Sequence, residues 1–246
     1  LAPSEAARRL VTVQAYAIGF GNSHKFQGKG KQLGDGPCAR GVLFLAEGDC
    51  LFQTLLLSMR PYPFRQGNRR INDRVYDAPA WEQDDPQSDD RTEPYGYLDY
   101  LTWQTWQIQL VPAQTTTDIV VTHVRRCMGL KLDKDRILDP LKSYRIPYRE
   151  GKASPRGFSE DKALWRESNA LFEIGQSDMD SVPQNLPLLS ELVSRDIIPR
   201  QSRYRLVAIG LGTDPGQARS VILWRQERLP LPMEYLASEE AVERLS

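Results

Sequence analysis

The spacing of apolar and polar positions predicts three elements in the first 60 residues. An Ala-rich stretch predicts a helix over about Glu5–Ala17, with Ser4 as its N-cap. The run Gly41–Ala46 has the continuous apolar pattern of a short buried strand, and a helix over Cys50–Met59 follows it. Asp49 is the predicted cap of this second helix, whose leucines fall on or near one face: Leu51, Leu55, Leu56 and Leu57.

The rest of the chain interleaves further helices and strands. Residues 60–96 carry several prolines and an acidic run without periodicity, so a long, partly mobile surface excursion is expected. The pattern then predicts a helix over Tyr97–Trp106, strands over Gln107–Val111, Asp118–His123 and Tyr144–Glu150, helices over Glu160–Phe172 and Pro187–Arg195, and a strand pair of Tyr204–Leu211 with Ser220–Gln226. Because there is no regular strand–helix–strand period, the predicted class is α+β, an irregular mixed sheet with packed helices and long surface loops.

Length bounds the domain organisation. At 246 residues and 28.0 kDa the chain can form one large domain or two small ones. We expect a single α+β body over residues 1–236, followed by the start of a helix over 237–246. Because the chain begins at Leu1 without an initiator methionine and ends inside a helical pattern, we expect it to be a piece of a longer protein.

Charge and composition narrow the class of function. The formal net charge is zero, which argues against a freestanding nucleic-acid binder held by bulk charge. No apolar run approaches the roughly 18 to 20 residues that a membrane helix needs, and no secretory segment is present. The three cysteines are far apart and fit reduced thiols. We therefore expect a cytoplasmic protein without membrane contact.

A basic, glycine-rich loop is the most informative local feature. Seven of the seventeen glycines lie between Gly19 and Gly41, and the only acid in that span is Asp35. Glycine permits close backbone approach to a ligand, and cations favour a polyanion. The loop therefore predicts contact with phosphates, for which the candidate side chains are Lys25, Lys29, Lys31 and Arg40. It fits neither a Walker nor a dinucleotide-binding pattern, and a solvated surface loop is the alternative.

No other segment of the sequence gives a strong signal for a binding, metal or catalytic site. The run Gly210–Gly216 superficially matches a dinucleotide fingerprint, but a strand rather than a helix follows, which favours a hairpin turn whose tip could insert into a groove or a base stack. His24 and His123 are about 100 residues apart and support neither a metal site nor a triad. A Trp/Tyr-rich stretch is better explained by core packing, and a second basic patch comprises Arg125, Arg126, Lys131, Lys134 and Arg136. We therefore expect no enzyme, no metal and no cofactor.

The order of these pieces over nearly the whole chain resembles the CasA family, the large subunit of the type I-E CRISPR surveillance complex Cascade. The matching segments include Gly19–Asn22 after the Ala-rich helix, Gly36–Gly41 before a strand, and Cys50–Leu57 after it. Later segments are Ala80–Trp81, Leu101–Leu110, Leu138–Pro140, Leu164–Arg166 and Gly210–Ala218. Family members are roughly twice as long, so the resemblance implies a fragment that lacks an N-terminal part and a C-terminal helical bundle.

The resemblance also implies a function. The family's large subunit reads the protospacer-adjacent motif of target double-stranded DNA through the minor groove and begins strand separation. Carried over by position, the reading loop is Gly19, Phe20, Gly21 and Asn22, and the wedge is Gly216, Gln217 and Ala218. The motif-reading lysine is assigned to Lys131, with Lys134 as the alternative. The implied partners are target DNA, the guide-RNA-containing Cascade subunits and a recruited helicase-nuclease. Competing hypotheses are a nucleotide-binding enzyme and an architectural subunit.

Overall fold

A computed structural model describes residues 1–20, 34–59, 65–66, 69–70, 77–87, 91–133, 137–145, 153–158, 182–213 and 220–236. The chain divides into two compact units. Unit 1 comprises Leu1–Ala39 with Ile71–Arg136, and unit 2 comprises Arg40–Arg70 with Ile137–Ser246. The prediction of a single body over 1–236 stays a prediction, and residues 237–246 lie outside the described part.

Unit 1 is built on one long helix, one short helix and a two-stranded hairpin. The helices are α1 (Pro3–Tyr16) and α3 (Tyr97–Leu101), with a 3₁₀ turn at Ala80–Glu82, and the strands are β4 (Trp106–Gln114) and β5 (Ile119–Met128). The two strands pair antiparallel, with a register shift between Val111 and Pro112. Proline cannot donate to the ladder, which accounts for the irregularity at this position.

Two local predictions for unit 1 need correction. Helix α1 begins at Pro3, two residues before the predicted Glu5. Ala2 rather than Ser4 is the N-cap, and Pro3 occupies the first turn, where its missing N–H and fixed φ are tolerated. The aromatic helix predicted over Tyr97–Trp106 ends at Leu101. Trp106 instead opens strand β4, because the hairpin ladder to Met128 takes its backbone.

Unit 2 is built on a three-stranded antiparallel sheet in the order β1–β8–β9. The strands are β1 (Val42–Glu47), β8 (Arg203–Thr213) and β9 (Val221–Pro232). Helices α2 (Leu51–Ser58), α4 (Asn185–Ser194) and α5 (Met233–Leu236) accompany it, together with two short strand pairs, β2 (Arg65–Gln66) with β3 (Arg69–Arg70) and β6 (Tyr144–Arg145) with β7 (Ser154–Pro155). The helix predicted over 160–172 lies outside the described residues.

The core of unit 2 lies between this sheet and α4. Phe44 from β1, Leu206 from β8 and Leu189 from α4 are fully buried members of one apolar cluster. The amide Nδ2 of the buried Asn185 donates to the Phe44 carbonyl at 3.0 Å, which fixes the start of α4 against the sheet. Gly41 enters β1 with φ at +80°, a conformation that glycine adopts without strain.

Helix α2 differs from its prediction. Cys50 rather than Asp49 is the N-cap, and no side chain caps the helix. Leu57 is buried, whereas Leu51 and Leu55 are 72% and 57% exposed. At 100° per residue, Leu57 points away from the face that Leu51 and Leu55 share. The four leucines are therefore not one buried face.

The α+β class predicted from the sequence is confirmed. Strands β8 and β9 form the predicted pair, and α4 matches the predicted helix over 187–195 within two residues. All ladders between described strands are antiparallel. Within the described ranges, no helix is both long enough and apolar enough to cross a membrane.

Candidate nucleic-acid interface

The two ends of the glycine loop are held side by side in unit 1. The backbone N–H of Gly36 donates to the Ala17 carbonyl at 2.7 Å, and that of Cys38 donates to the Ala15 carbonyl at 2.7 Å. The N–H of Gly19 donates to Oδ1 of Asp35, also at 2.7 Å. The segment that leaves α1 and the segment that returns are thus tied together. Residues 21–33 between them lie outside the described part.

An aromatic pair supports the outgoing end of this loop. Phe20 packs edge-on against Trp106, with ring centroids 5.4 Å apart and planes at 83°. The indole N–H of Trp106 donates to the Gly34 carbonyl at 2.9 Å, so one side chain contacts both loop ends. Such T-shaped aromatic pairs add about 0.5–1.5 kcal/mol beyond the area they bury.

The guanidinium of Arg126 lies over both rings. Its carbon is 4.9 Å from the Phe20 centroid and 5.4 Å from the Trp106 centroid. Arg126 is an exposed residue, so its charge is available to solvent while its guanidinium carbon lies close to both rings. A fixed cation therefore lies directly beside the start of the glycine loop.

The hairpin register explains why these groups meet. Trp106 is paired with Met128 and Ile108 with Arg126, so Trp106 and Arg126 lie on the same face of the hairpin. Helix α1 packs on that face. Gln14 of α1 clamps the strand start, since its Nε2 donates to the Trp106 carbonyl at 2.6 Å and its Oε1 accepts from the Trp106 N–H at 3.4 Å.

An apolar cavity of about 510 Å³ lies between α1 and the hairpin. Its lining includes Leu10, Val13 and Leu110, with Arg126 at one side. Tyr16 also lines it, and burial, together with nearby Cys38, raises the pKa of this phenol to about 12.

The predicted site residues divide into those the structure describes and those it does not. Gly19 and Phe20 lie at the loop base in unit 1, Lys131 is exposed just after β5, and Arg40 is half-buried at the start of unit 2. Outside the described residues lie Gly21, Asn22, Lys25, Lys29, Lys31, Lys134, Gly216, Gln217 and Ala218. The hairpin that would carry the last three is present, because β8 and β9 pair up to Thr213 and Val221.

Sequence reasoning missed the role of Arg126 in this cluster. It counted Arg126 only as one of five cations in a basic patch. The signal that could have found it is the strand pattern, because the pattern of the strand predicted over Asp118–His123 continues toward Arg126. The strand pattern does not predict that Arg126 packs on Phe20, because Phe20 is far away along the chain.

The described side chains contain no arrangement suited to metal chemistry. No group of three His, Cys, Asp or Glu side chains in the described ranges is placed to hold a metal ion. The groups that this cluster presents are backbone amides, an aromatic edge and a cation.

Known proteins resemble the chain in sequence and fold. The family model for the CRISPR-associated protein Cse1 matches residues 1–246. The solved structure of Thermobifida fusca Cse1 superposes with a TM-score of 0.75 at 25% identity, covering 100% of this chain and 50% of that chain. Thermus thermophilus CasA (Cse1) gives a TM-score of 0.74 at 26% identity, covering 99% of this chain and 50% of that one. No curated protein matches the sequence significantly.

The chain therefore belongs to the CRISPR-associated Cse1 family. The resemblance to CasA, inferred from the order of sequence segments, is confirmed, since the Thermus structure carries both names. The chain spans about half the length of the solved relatives it matches. A CRISPR RNA-guided surveillance complex also shares the fold, with a TM-score of 0.67 at 22% identity, covering 94% of this chain and 45% of that chain.

Proposed function

We propose that this chain is part of the large subunit of a type I-E Cascade complex, where it recognises the protospacer-adjacent motif in target double-stranded DNA. It acts without catalysis, in the cytoplasm, reading the minor groove and helping to start strand separation. The observation that carries the proposal is the clamped base of the glycine loop. Phe20, Trp106 and Arg126 pack together where the described chain enters this loop.

A clamped glycine loop suits the minor groove for a steric reason. That groove is about 6 Å wide, so side chains larger than glycine obstruct contact between a backbone and the base edges. The A·T and T·A pairs also look alike there, which suits a reader that tolerates several motifs. A support fixed by hydrogen bonds lowers the entropy that the loop loses on binding.

Arg126 is the cation that, in this proposal, contacts the DNA beside the glycine loop. An exposed guanidinium beside two aromatic rings has several N–H groups with which it can donate to phosphate or base acceptors. Lys131, assigned on resemblance, remains a prediction. The two are separable by paired variants in the assembled complex. We expect Arg126→Gln to weaken binding to motif-bearing duplex more than Lys131→Gln does, and the opposite order would return the role to Lys131.

Strand separation is assigned to the hairpin tip between β8 and β9. Gly216, Gln217 and Ala218 would enter the duplex as a wedge. Unstacking a base step costs a few kcal/mol, which pairing of the guide RNA downstream offsets. The zero formal charge of the chain fits a subunit whose partners supply the long positive channel. The proposed partners are the guide-RNA-containing Cascade subunits, target DNA and a recruited helicase-nuclease.

The test measures target-duplex binding and strand opening by the assembled complex. Gly21→Leu should abolish motif-dependent binding, because the added side chain obstructs the minor groove. Replacing Gln217 and Ala218 should leave initial binding largely intact but slow strand opening, read by fluorescence of a base analogue beside the motif. The matched control is Gly157→Ala, since Gly157 is exposed and an added Cβ there meets nothing within 4 Å. Unchanged binding and opening in the loop and wedge variants would overturn the proposal.

A further inference from the structure

The β4–β5 hairpin has a second face that the proposed motif reading does not use. Side chains alternate across a strand, and the register is regular from Trp106↔Met128 to Val111↔His123. The face that carries Arg126 packs under α1. The opposite face carries Gln107 and Gln109 from β4 and His123 and Arg125 from β5. Val111 and Cys127 also lie on it, but it is more polar than the face under α1.

The two strands that form this second face carry basic side chains and no acidic ones. Strands β4 and β5 contain no Asp or Glu, and both Arg125 and His123 are exposed. Within the described ranges neither has a carboxylate partner, whereas six other arginines do: Arg9, Arg91, Arg195, Arg205, Arg225 and Arg228. An exposed cation without a carboxylate partner among the described residues favours an external anion.

The glutamines on this face add neutral donors. Gln107 is fixed, because its Nε2 donates to Gln87 Oε1 at 3.1 Å and its Oε1 accepts from Cys127 Sγ at 2.9 Å. Gln109 lies directly opposite Arg125 in the ladder and is exposed. The pair therefore presents an amide and a guanidinium side by side, a donor set suited to phosphate oxygens.

We propose that this face, defined by Gln109, His123 and Arg125, binds the phosphate backbone of the target duplex beside the segment that the glycine loop reads. The inference rests on the proposed function for the identity of the nucleic acid. Arg125 and Arg126 are consecutive residues, so one strand offers a cation at the loop base and another on its outer face. The outer contact is independent of base sequence and adds affinity without changing motif choice.

The experiment compares Arg125→Gln with wild type in the assembled complex, using duplexes with and without the preferred motif over a range of salt concentrations. Each lost phosphate contact lowers the slope of log affinity against log salt by about 1. We expect such a drop on both duplexes, with the ratio of their affinities unchanged. The control Arg195→Gln removes an exposed arginine that is paired with Glu191, and it should leave the slope as it is.

The outcomes separate this proposal from motif reading. If the two duplexes bind equally in wild type, motif reading fails, while the slope change still reports the backbone contact. If motif preference is present but Arg125→Gln leaves the slope unchanged, the backbone contact is overturned. It is overturned equally if the variant instead loses guide RNA or fails to join the complex, because the face would then serve RNA or assembly.

Discussion

Gly19 and Asp35 join the two ends of the glycine loop: the backbone N–H of Gly19 donates to Oδ1 of Asp35 at 2.7 Å. Asp35 is the only acid among the residues from Gly19 to Gly41, and its carboxylate accepts a hydrogen bond from the backbone. This hydrogen bond closes the base of the loop. The same residue accepts from Thr105 Oγ1 through its carbonyl, at 3.3 Å.

Removing this tie should loosen the loop before it affects the rest of unit 1. We expect Asp35→Ala to raise the hydrogen-exchange rate of the Gly19 amide at least tenfold, because a charge-assisted hydrogen bond contributes about 1.5–3 kcal/mol. Exchange of amides in the β4–β5 hairpin should change much less. Asp35→Asn keeps an acceptor oxygen and should restore most of the protection. Equal exchange at Gly19 in wild type and Asp35→Ala would contradict the closed base.

Gly36 gives a second test of the loop base. A Cβ built at this position would lie 2.6 Å from the Ala15 carbonyl oxygen, at the end of α1. Backbone cannot yield as a flexible side chain does, so Gly36→Ala should lower the free energy of unfolding by about 1–3 kcal/mol. Denaturant unfolding measures this, with Gly157→Ala as the control in open space. Equal denaturant midpoints for the two variants would show that the backbone around Gly36 can shift to make room for a methyl group.

Local patterns in the sequence predicted much of the fold, but not the contacts that build the site. Strands β8 and β9 were predictable because alternating and continuous apolar runs flank a glycine-rich turn. Burial of Tyr100, Trp103 and Trp106 follows from the core-packing interpretation of the aromatic stretch, since these residues are 1–6% exposed. The end of α3 was not predictable, because the pairing of Trp106 with Met128 overrides local helical preference.

The candidate site shows the same division more sharply. The density of glycines in residues 19–41 predicted the loop as a candidate site, but it did not predict how the two ends of the loop are held together. The base itself joins Phe20 to Trp106, which are separated by 86 positions, and then adds Arg126 from the next strand. Such a contact follows from register and packing, neither of which a single sequence fixes. The run of cations that includes Arg126 therefore did not single it out, and Lys131 stays a prediction that rests on the resemblance.

Removing one charge from the buried ion pair of unit 1 should destabilise the protein more than removing one charge from a surface pair. Arg91 and Asp99 form an ion pair whose side chains are 5% and 0% exposed. Asp99 also accepts from the Tyr95 N–H at 2.7 Å and from Gln83 Nε2 at 2.9 Å. Asp99→Ala leaves the guanidinium buried without its carboxylate, so we expect a loss of about 3–5 kcal/mol in the free energy of unfolding.

The surface pair of Arg195 with Glu191 on α4 is the matched control for Asp99→Ala. Arg195 Nη2 lies 2.6 Å from Glu191 Oε1, but the two side chains are 67% and 52% exposed. Glu191→Ala should therefore cost at most about 1 kcal/mol. Chemical denaturation of both variants gives the comparison. A similar small loss for the two would mean that water reaches Arg91 in the native state.

Tyr16 should make stability fall at high pH. Burial, with the nearby Cys38, raises the pKa of its phenol from 10.0 to about 12. Below pH 10 the phenol is protonated in both the folded and the unfolded chain, so its contribution is complete there. Between pH 10 and about 12 the unfolded chain loses the proton first, and the free energy of unfolding falls as pH rises. Tyr16→Phe should flatten this fall and remove one late step from the 295 nm phenolate titration. An unchanged pH profile in Tyr16→Phe would show that Tyr16 ionises as readily in the folded protein as in the unfolded chain.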